Sequence, residues 1–497
     1  MAYVRTVKTG AKTPATAVQI VWKTEGRVRQ IEHLGSAHTP AEVELLKAAG
    51  RQRIAHVQPP LPFGEEGTRV PAALPILSSR MGRLLDGIAA AYRVLGLDVA
   101  AGRDVVFEQL VTARIIEPSS KQATARVLRE AGVRACSYRT VKRRLRRYAE
   151  QAWRDRLSGA CAAHAALGPA ALCLYDVTTL WFETDEGDGF REPGFPKERP
   201  LEPQITVGLL TDGCGFPLMI EGFEGNKAET ATMIPLIGRF CRAHGVTDLV
   251  VVADAGMLSD ANMLAVEEQG WSSVVGGRLP EVPLLVREWL TANPGRTPPD
   301  GLTLSAFVPT PLDAKGPWRA FWQYRAGRAK RSLHGIDQQV AKAERQAAGK
   351  TPLKRNRFIR LQGGTRSVNR DLEAKARTLA GWKPYLTNLD WDANKVIGSY
   401  HRLWHVEHAF RMSKHDLRAR PVYHHKKESI DAHLAIVFAA LATSTWIEQT
   451  TGWTIDRYVK TLRCYREVII DTGTQHVTAE DPIPDDIAAM LNRPQAH

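Results

Sequence analysis

Two apolar segments that each carry one aspartate constrain this chain more than any other feature. The stretch Asp248 to Asp254 (DLVVVAD) is almost continuously apolar up to its closing carboxylate. That is the pattern of a strand buried on both faces of a parallel sheet. Asp254 then lies at the C-terminal edge of the strand, where α/β sheets place ligands. The stretch Ala171 to Thr179 (ALCLYDVTT) is a second such strand, with Asp176 inside it. Burying an unpaired carboxylate is costly, so Asp176 has to be paired, protonated or bound to a cation.

The neighbouring segments set the order of elements. Gln204 to Thr211 and Pro217 to Phe223 read as strands joined by a tight turn at Asp212 to Gly215, and Glu229 to His244 reads as a helix. Ala261 to Gln269 is helical, and Ser272 to Gly276 is a further short strand. Three antiparallel strands, helix, strand, helix, strand is the order of an α/β ribonuclease-H-like core, a mixed sheet flanked by helices. Its first and fourth strands are neighbours, which predicts that Asp176 and Asp254 meet, and two like charges so close need a cation between them.

The last core helix comes late, from about Trp391 to Ala419. The interval from about Pro280 to Lys383 is therefore an insertion. It has strand-like pieces at Leu302 to Val308, Arg319 to Tyr324 and Arg357 to Leu361, and a basic helix from about Ile336 to Ala348. On the late helix Tyr400, Glu407 and Lys414 are spaced by seven residues and share one face. Glu407 is the candidate third acid, and Lys414 is placed to hold a scissile-strand phosphate. The alternative for Glu407 is an ion pair with Arg411 at i+4. Oxygen-only ligands suit Mg²⁺, with Mn²⁺ as substitute. Two such ions make and break phosphodiester bonds. The nearby His401, His405 and His408 lack a cysteine or further ligand to complete a zinc site.

Charge points to the same kind of partner. The net charge is +14 and the pI about 9.6, and the excess is local. Residues 101–150 hold 12 Lys/Arg against 5 Asp/Glu, and residues 311–370 hold 15 against 3. Such patches suit a phosphate backbone. Within the first, Ser137 can cap a helix from Tyr138 to Tyr148. Tyr138, Val141, Leu145 and Tyr148 form its buried stripe, leaving Arg139, Lys142, Arg143, Arg144, Arg146 and Arg147 to meet DNA. The alternative is the solvated face of an ordinary helix.

The remaining organisation is read more coarsely. Ala17 to Trp22 and Arg27 to His33 form an N-terminal hairpin about Glu25 and Gly26, a helix covers Ala41 to Arg53, and Gln58 to Gly64 is a proline-rich linker. From about Ile76 to Leu167 the pattern is helical. The expected divisions are 1–60 (hairpin and helix), 61–168 (helical, DNA-binding), 169–280 (first part of the core), 281–383 (β-rich basic insertion), 384–450 (second part of the core) and 451–497 (C-terminal region). The longest strictly apolar run, Leu434 to Ala442, is short of the roughly 20 residues of a membrane span. The six cysteines include no Cys-x-x-Cys pair, which fits a reducing cytoplasm without membrane attachment.

These segments resemble the DDE transposases of bacterial insertion sequences, in the insertion-sequence-four superfamily, whose third acidic segment reads Tyr-x2-Arg-x3-Glu-x6-Lys. Tyr400, Glu407 and Lys414 match that spacing, while Leu403 holds the arginine position and Arg402 lies one residue early. Tyr175 to Thr179, Pro203 to Leu210, Gly222 to Asn226, Ala253 to Met257 and Arg420 to His424 carry further similarity, so the resemblance covers at least Leu172 to Leu441. It implies Asp176, Asp254 and Glu407 as catalytic metal ligands for two Mg²⁺ ions, and Tyr400, Lys414, Arg402 and Arg411 as residues that position the DNA end. It further implies double-stranded DNA as partner, namely the element's terminal inverted repeats and its target. Cut-and-paste cleavage and strand transfer follow, often through a hairpin intermediate, by a homodimer on paired ends. The setting is the bacterial cytoplasm, at the nucleoid, and no nucleotide cofactor is needed. A tryptophan of the insertion commonly stacks on a flipped base in this family. Trp318 and Trp322, beside Arg319 and Arg325, are the candidates, with core packing as the alternative. Two other readings share the sequence: a stand-alone metal-dependent nuclease of the same fold, and a catalytically silent relative that binds DNA as a repressor.

Overall fold

The structure is a computed structural model that describes residues 2–8, 15–24, 27–57, 74–182, 186–193, 202–257, 259–308, 317–362, 365–419 and 426–491. The Glu25–Gly26 turn, the linker from Gln58 to Gly64 and the segment Arg420 to His424 lie outside these residues. The chain divides into two compact units, Met1–Leu74 and Pro75–His497.

The first unit is a three-stranded antiparallel sheet with one helix. β1 (Ala2–Lys8) pairs with β2 (Thr16–Thr24), and β2 pairs with β3 (Arg27–Ala37). Ala17, Val18, Ile20 and Val21 of β2 are buried. Helix α1 (Pro40–Val57) starts on a reciprocal cap. The Glu42 carboxylate accepts from the Thr39 amide at 3.1 Å while the Thr39 hydroxyl accepts from the Glu42 amide at 3.3 Å.

The second unit begins with a strand where a helix is expected. β4 (Ile76–Arg80) pairs antiparallel with a C-terminal strand, Glu467–Asp471, some 390 residues later, which no local periodicity reveals. Six helices follow: α2 (Gly82–Val94), α3 (Leu97–Ala100), α4 (Val105–Ile116), α5 (Thr124–Glu130), α6 (Tyr138–Ala149) and α7 (Gln151–Ala165). Asp104 caps α4 by accepting from the amides of Val106 and Phe107 at 3.0 and 3.2 Å. Phe107, Tyr148 and Trp153 lock α4, α6 and α7 together, with ring centroids 4.9 to 5.4 Å apart.

The main sheet has eight strands. Its first five are β5 (Ala171–Trp181), β6 (Gln204–Asp212), β7 (Pro217–Glu224), β8 (Leu249–Ala253) and β9 (Ser272–Gly276), with α8 (Met233–His244) and α9 (Asp260–Glu268) in the crossovers. β7, β6 and β5 are antiparallel, whereas β5, β8 and β9 are parallel. After α10 (Leu284–Ala292), β10 (Thr303–Val308) and β11 (Trp318–Tyr324) come α11 (Ala326–Ala347), the hairpin β12 (Ile359–Gln362) and β13 (Thr365–Val368), α12 (Arg370–Thr378) and β14 (Trp382–Thr387). The sheet order is β10-β11-β14-β9-β8-β5-β6-β7. The interval expected as a β-rich insertion thus gives β10 and β11 to the main sheet, through β14 on the edge of β9. An unpaired β9 edge would leave a row of backbone groups without partners. The basic helix is longer than expected, starting at Ala326.

The expected single late helix is two, α13 (Ala393–His401) and α14 (Leu403–His415), broken at Arg402. Bonds of i,i+3 type tighten the link: Arg402 N donates to Ser399 O at 3.1 Å and His405 N to Arg402 O at 2.9 Å. α15 (Lys427–Thr451) packs against α4, α6 and β7. By length and composition alone it is apolar enough to cross a membrane, yet 94% of that stretch is buried in the core. Arg154 of α7 donates to both Glu221 oxygens on β7 at 2.7 Å and faces Asp431 of α15 at 3.3 Å, tying the helices to the sheet. α16 (Ile455–Leu462), β15 (Glu467–Asp471), β16 (His476–Glu480) and α17 (Asp485–Leu491) complete the unit.

Candidate active site

The pairing of β5 with β8 sets the first two acids side by side. Leu174 pairs with Val252 in the parallel register. Two residues on, Asp176 stands level with Asp254, which follows the last residue of β8. Adjacent strands lie roughly 4.8 Å apart, and residues at matched positions point to the same face. α14 lies against β5 and brings Glu407 near enough for its charge to reach Asp176. Burial pushes the Asp176 carboxyl up to about 7; a hydrogen bond involving the Val177 backbone opposes the rise, and the charges of Glu407, Asp254 and Glu229 add to it.

Asp254 is held from the other side. Tyr400, near the end of α13, donates from its phenol to Asp254 Oδ1 at 2.6 Å, and Lys383 Nζ donates to the Tyr400 oxygen at 2.9 Å. Burial, and then the bond to Asp254, raise the Tyr400 phenol far above its ordinary range. Burial lowers the Lys383 ammonium, with Asp254 and Glu407 acting against that and Arg328 reinforcing it. The close approach needs glycine at 276, because a Cβ there would stand 2.7 Å from the Tyr400 oxygen.

The donor set of Asp176, Asp254 and Glu407 is carboxylate only, the chemistry of a hard divalent cation. Among the described residues no three His, Cys, Asp or Glu side chains are grouped tightly enough to enclose an ion. The acids fit such an ion in kind, through like charges that raise Asp176 when no cation is between them.

The other residues singled out in the sequence divide. Lys414 borders a small pocket with Thr178 and Leu180 of β5, farther along the strand than Asp176. Arg411 is exposed, and among the described residues it forms no ion pair with Glu407. Leu403, at the family's arginine position, is buried in the core. Arg402 is turned to the β6–β7 turn: its guanidinium would stand 3.1 Å from a Cβ on Gly213, near Leu172 at the start of β5. Trp318 is fully buried and donates its indole N–H to Glu267 at 2.6 Å, so the core-packing alternative holds for it. Trp322 is half-buried beside Tyr324 and Trp382.

On α6, Ser137 caps the helix by accepting from the Thr140 amide at 3.2 Å. Val141 and Tyr148 are buried, but Tyr138, expected in the same stripe, is 45% exposed at the first turn. Arg139, Lys142, Arg143 and Arg146 are exposed, and among the described residues they form no ion pair. Arg144 pairs with buried Asp104 at 3.0 Å, and Arg147 lies 4.9 Å over the Trp153 ring.

Two residues of the site were missed in the sequence. Glu229 opens a short 3₁₀ turn, Glu229–Ala231, before α8, and its charge reaches Asp176. It reads as the first residue of a helix and gives no other local signal. Lys383 reads as the last residue of an insertion, and only the long-range pairing of β14 with β9 carries it to Tyr400.

The fold is a large mixed α/β sheet flanked by helices, with Asp176 and Asp254 on its neighbouring parallel strands. The chain belongs to the transposase DDE domain family, which matches residues 172–443, more than half of its length. This is a family of DNA-cleaving and DNA-transferring enzymes that generally depend on a divalent metal ion. Among solved structures, a piggyBac transposase in a synaptic complex with hairpin DNA is similar with a TM-score of 0.40 and 11% identity, over 77% of this chain and 77% of that one. A search of curated proteins finds no match.

Proposed function

We propose that the chain is the transposase of a bacterial insertion sequence, of the insertion-sequence-four superfamily, which binds the terminal inverted repeats of its element and moves it by a cut-and-paste route. What supports this reading is that Asp176 and Asp254 stand on neighbouring parallel strands and that the charges of Asp254 and Glu407 reach Asp176. The order β7-β6-β5-β8-β9, antiparallel and then parallel, supports a ribonuclease-H-like core.

Asp176, Asp254 and Glu407 would hold a pair of Mg²⁺ or Mn²⁺ ions, which supply an activated water or hydroxyl nucleophile and charge neutralisation at the leaving oxygen. Tyr400 and Lys383 fix the orientation of Asp254. Lys414 reaches a phosphate beside Asp176, and the exposed cations of α6 take the duplex. The enzyme works as a homodimer on paired ends, in the cytoplasm at the nucleoid.

The test replaces each acid conservatively: Asp176→Asn, Asp254→Asn and Glu407→Gln. With Mg²⁺ and DNA carrying the element's ends, all three lose strand cleavage by about a thousandfold or more while binding the ends as before, as expected for groups that would hold the catalytic metal and are not needed for end binding. Normal cleavage by any one of them overturns the assignment.

A further inference from the structure

A cleft of about 510 Å³, linked to Asp254 through Lys383 and Tyr400, has no role above. Its walls are α11 on one side and the segment from α12 into β14 on the other, and four of its lining residues are cations: Arg328, Arg331, Arg357 and Lys383. Among the described residues no carboxylate lines it. Arg331 and Arg357 are exposed, and among the described residues neither forms an ion pair. Trp382 and Leu379 add an apolar surface.

Lys383 joins the cleft to the candidate active site. It lines the cleft and also donates to the Tyr400 oxygen, which donates in turn to Asp254. An anion in the cleft is therefore one side chain removed from the phosphate to be cut. The volume falls in the range of roughly 300–1,000 Å³ of small-molecule sites, enough for a nucleotide or two and not for a duplex. Cations on both sides of the cleft with apolar surface between them are the makings of a single-strand site.

We infer that this cleft binds the sugar–phosphate backbone of one DNA strand, at the nucleotides adjoining the scissile phosphate. The inference rests on the transposase reading above and deepens it. It supplies, from α11 and β14, cationic contacts of the kind that the buried Leu403 does not make.

The experiment measures binding of the full chain in EDTA, by fluorescence anisotropy over a series of KCl concentrations. The probes are a labelled oligothymidylate of about twelve nucleotides and a random duplex of about thirty base pairs. Arg331→Ala/Arg357→Ala removes two exposed cations. Gly335→Glu, where an added Cβ meets nothing within 4 Å, sets a carboxylate in the cleft. Both variants are expected to bind the single strand about tenfold more weakly. The double variant should also lower the salt slope by about 1.4, at roughly 0.7 per phosphate on a single strand. Duplex binding should change less than about twofold, and inorganic phosphate at millimolar concentration should leave the oligothymidylate bound. Unchanged single-strand binding in both variants overturns the inference. So does an equal loss on duplex, which makes the cleft part of a general duplex surface, or displacement by phosphate, which makes it an isolated anion site. None of these readouts needs cleavage, so the inference can fail while the three acid variants still lose activity, and the reverse.

Discussion

The Tyr400 phenol donates to Asp254 Oδ1 at 2.6 Å, joining the end of α13 to the end of β8. One carboxylate oxygen is thereby committed to the protein. A hydrogen bond to a charged group contributes about 1.5–3 kcal/mol. Tyr400→Phe keeps the buried ring and removes that bond together with the one Lys383 donates to the Tyr400 oxygen. The expected result is cleavage slower by about tenfold or more and a lowered Tm, with end binding nearly unchanged. Wild-type cleavage by Tyr400→Phe would show that the orientation of Asp254 is not limiting.

The raised Asp176 carboxyl makes the metal response depend on pH. An unfolded aspartate titrates near 3.9, whereas the folded one is pushed up to about 7. Folding therefore loses stability as pH rises from about 4 to about 7, and above that the ionised carboxylate is held at full cost among its neighbours. A divalent cation binds the ionised form and must displace a proton below pH 7. Mg²⁺ is thus expected to raise Tm more at pH 8 than at pH 6. Asp176→Asn should raise the metal-free Tm at pH 8 and remove this difference. Differential scanning fluorimetry with and without Mg²⁺ checks it, and equal Mg²⁺ shifts at both pH values in the unaltered protein would refute it.

What was legible in the sequence follows from range. The strands that carry Asp176 and Asp254 announce themselves because burial on both faces writes a continuous apolar run. Glu407 is singled out by its spacing to Tyr400 and Lys414, but the break at Arg402 puts Tyr400 on α13 and leaves only Lys414 on the helix of Glu407. Local pattern fails where a distant partner decides: β4 forms on β15, and β10 and β11 extend the main sheet because β14 closes the edge of β9. Arg402 looks like a near match to the family's arginine, but the helix break at that residue turns it toward Gly213. Lys383 and Glu229 carry no spacing signal at all, since each reaches the site through tertiary contact.

The cations of α6 are equivalent in sequence and distinct in the fold, so they make separate predictions. Arg143 and Arg146 are exposed, and among the described residues they form no ion pair. Each phosphate contact on duplex DNA contributes a slope of roughly 0.9 in log K against log salt. Arg143→Ala/Arg146→Ala should then bind end DNA more weakly at about 0.1 M salt and lower the slope by about 1.8, with Tm unchanged because alanine favours the helix. Arg144 instead answers the buried Asp104, which also caps α4 and accepts from Tyr148 at 3.2 Å. Arg144→Ala leaves that carboxylate without its cation, and losing one partner of a buried group costs about 1–3 kcal/mol. Its expected effect is a lower Tm and a smaller change in salt slope than the double variant. Anisotropy titrations paired with thermal melts separate the two. An unchanged slope in Arg143→Ala/Arg146→Ala would move the duplex off this helix face.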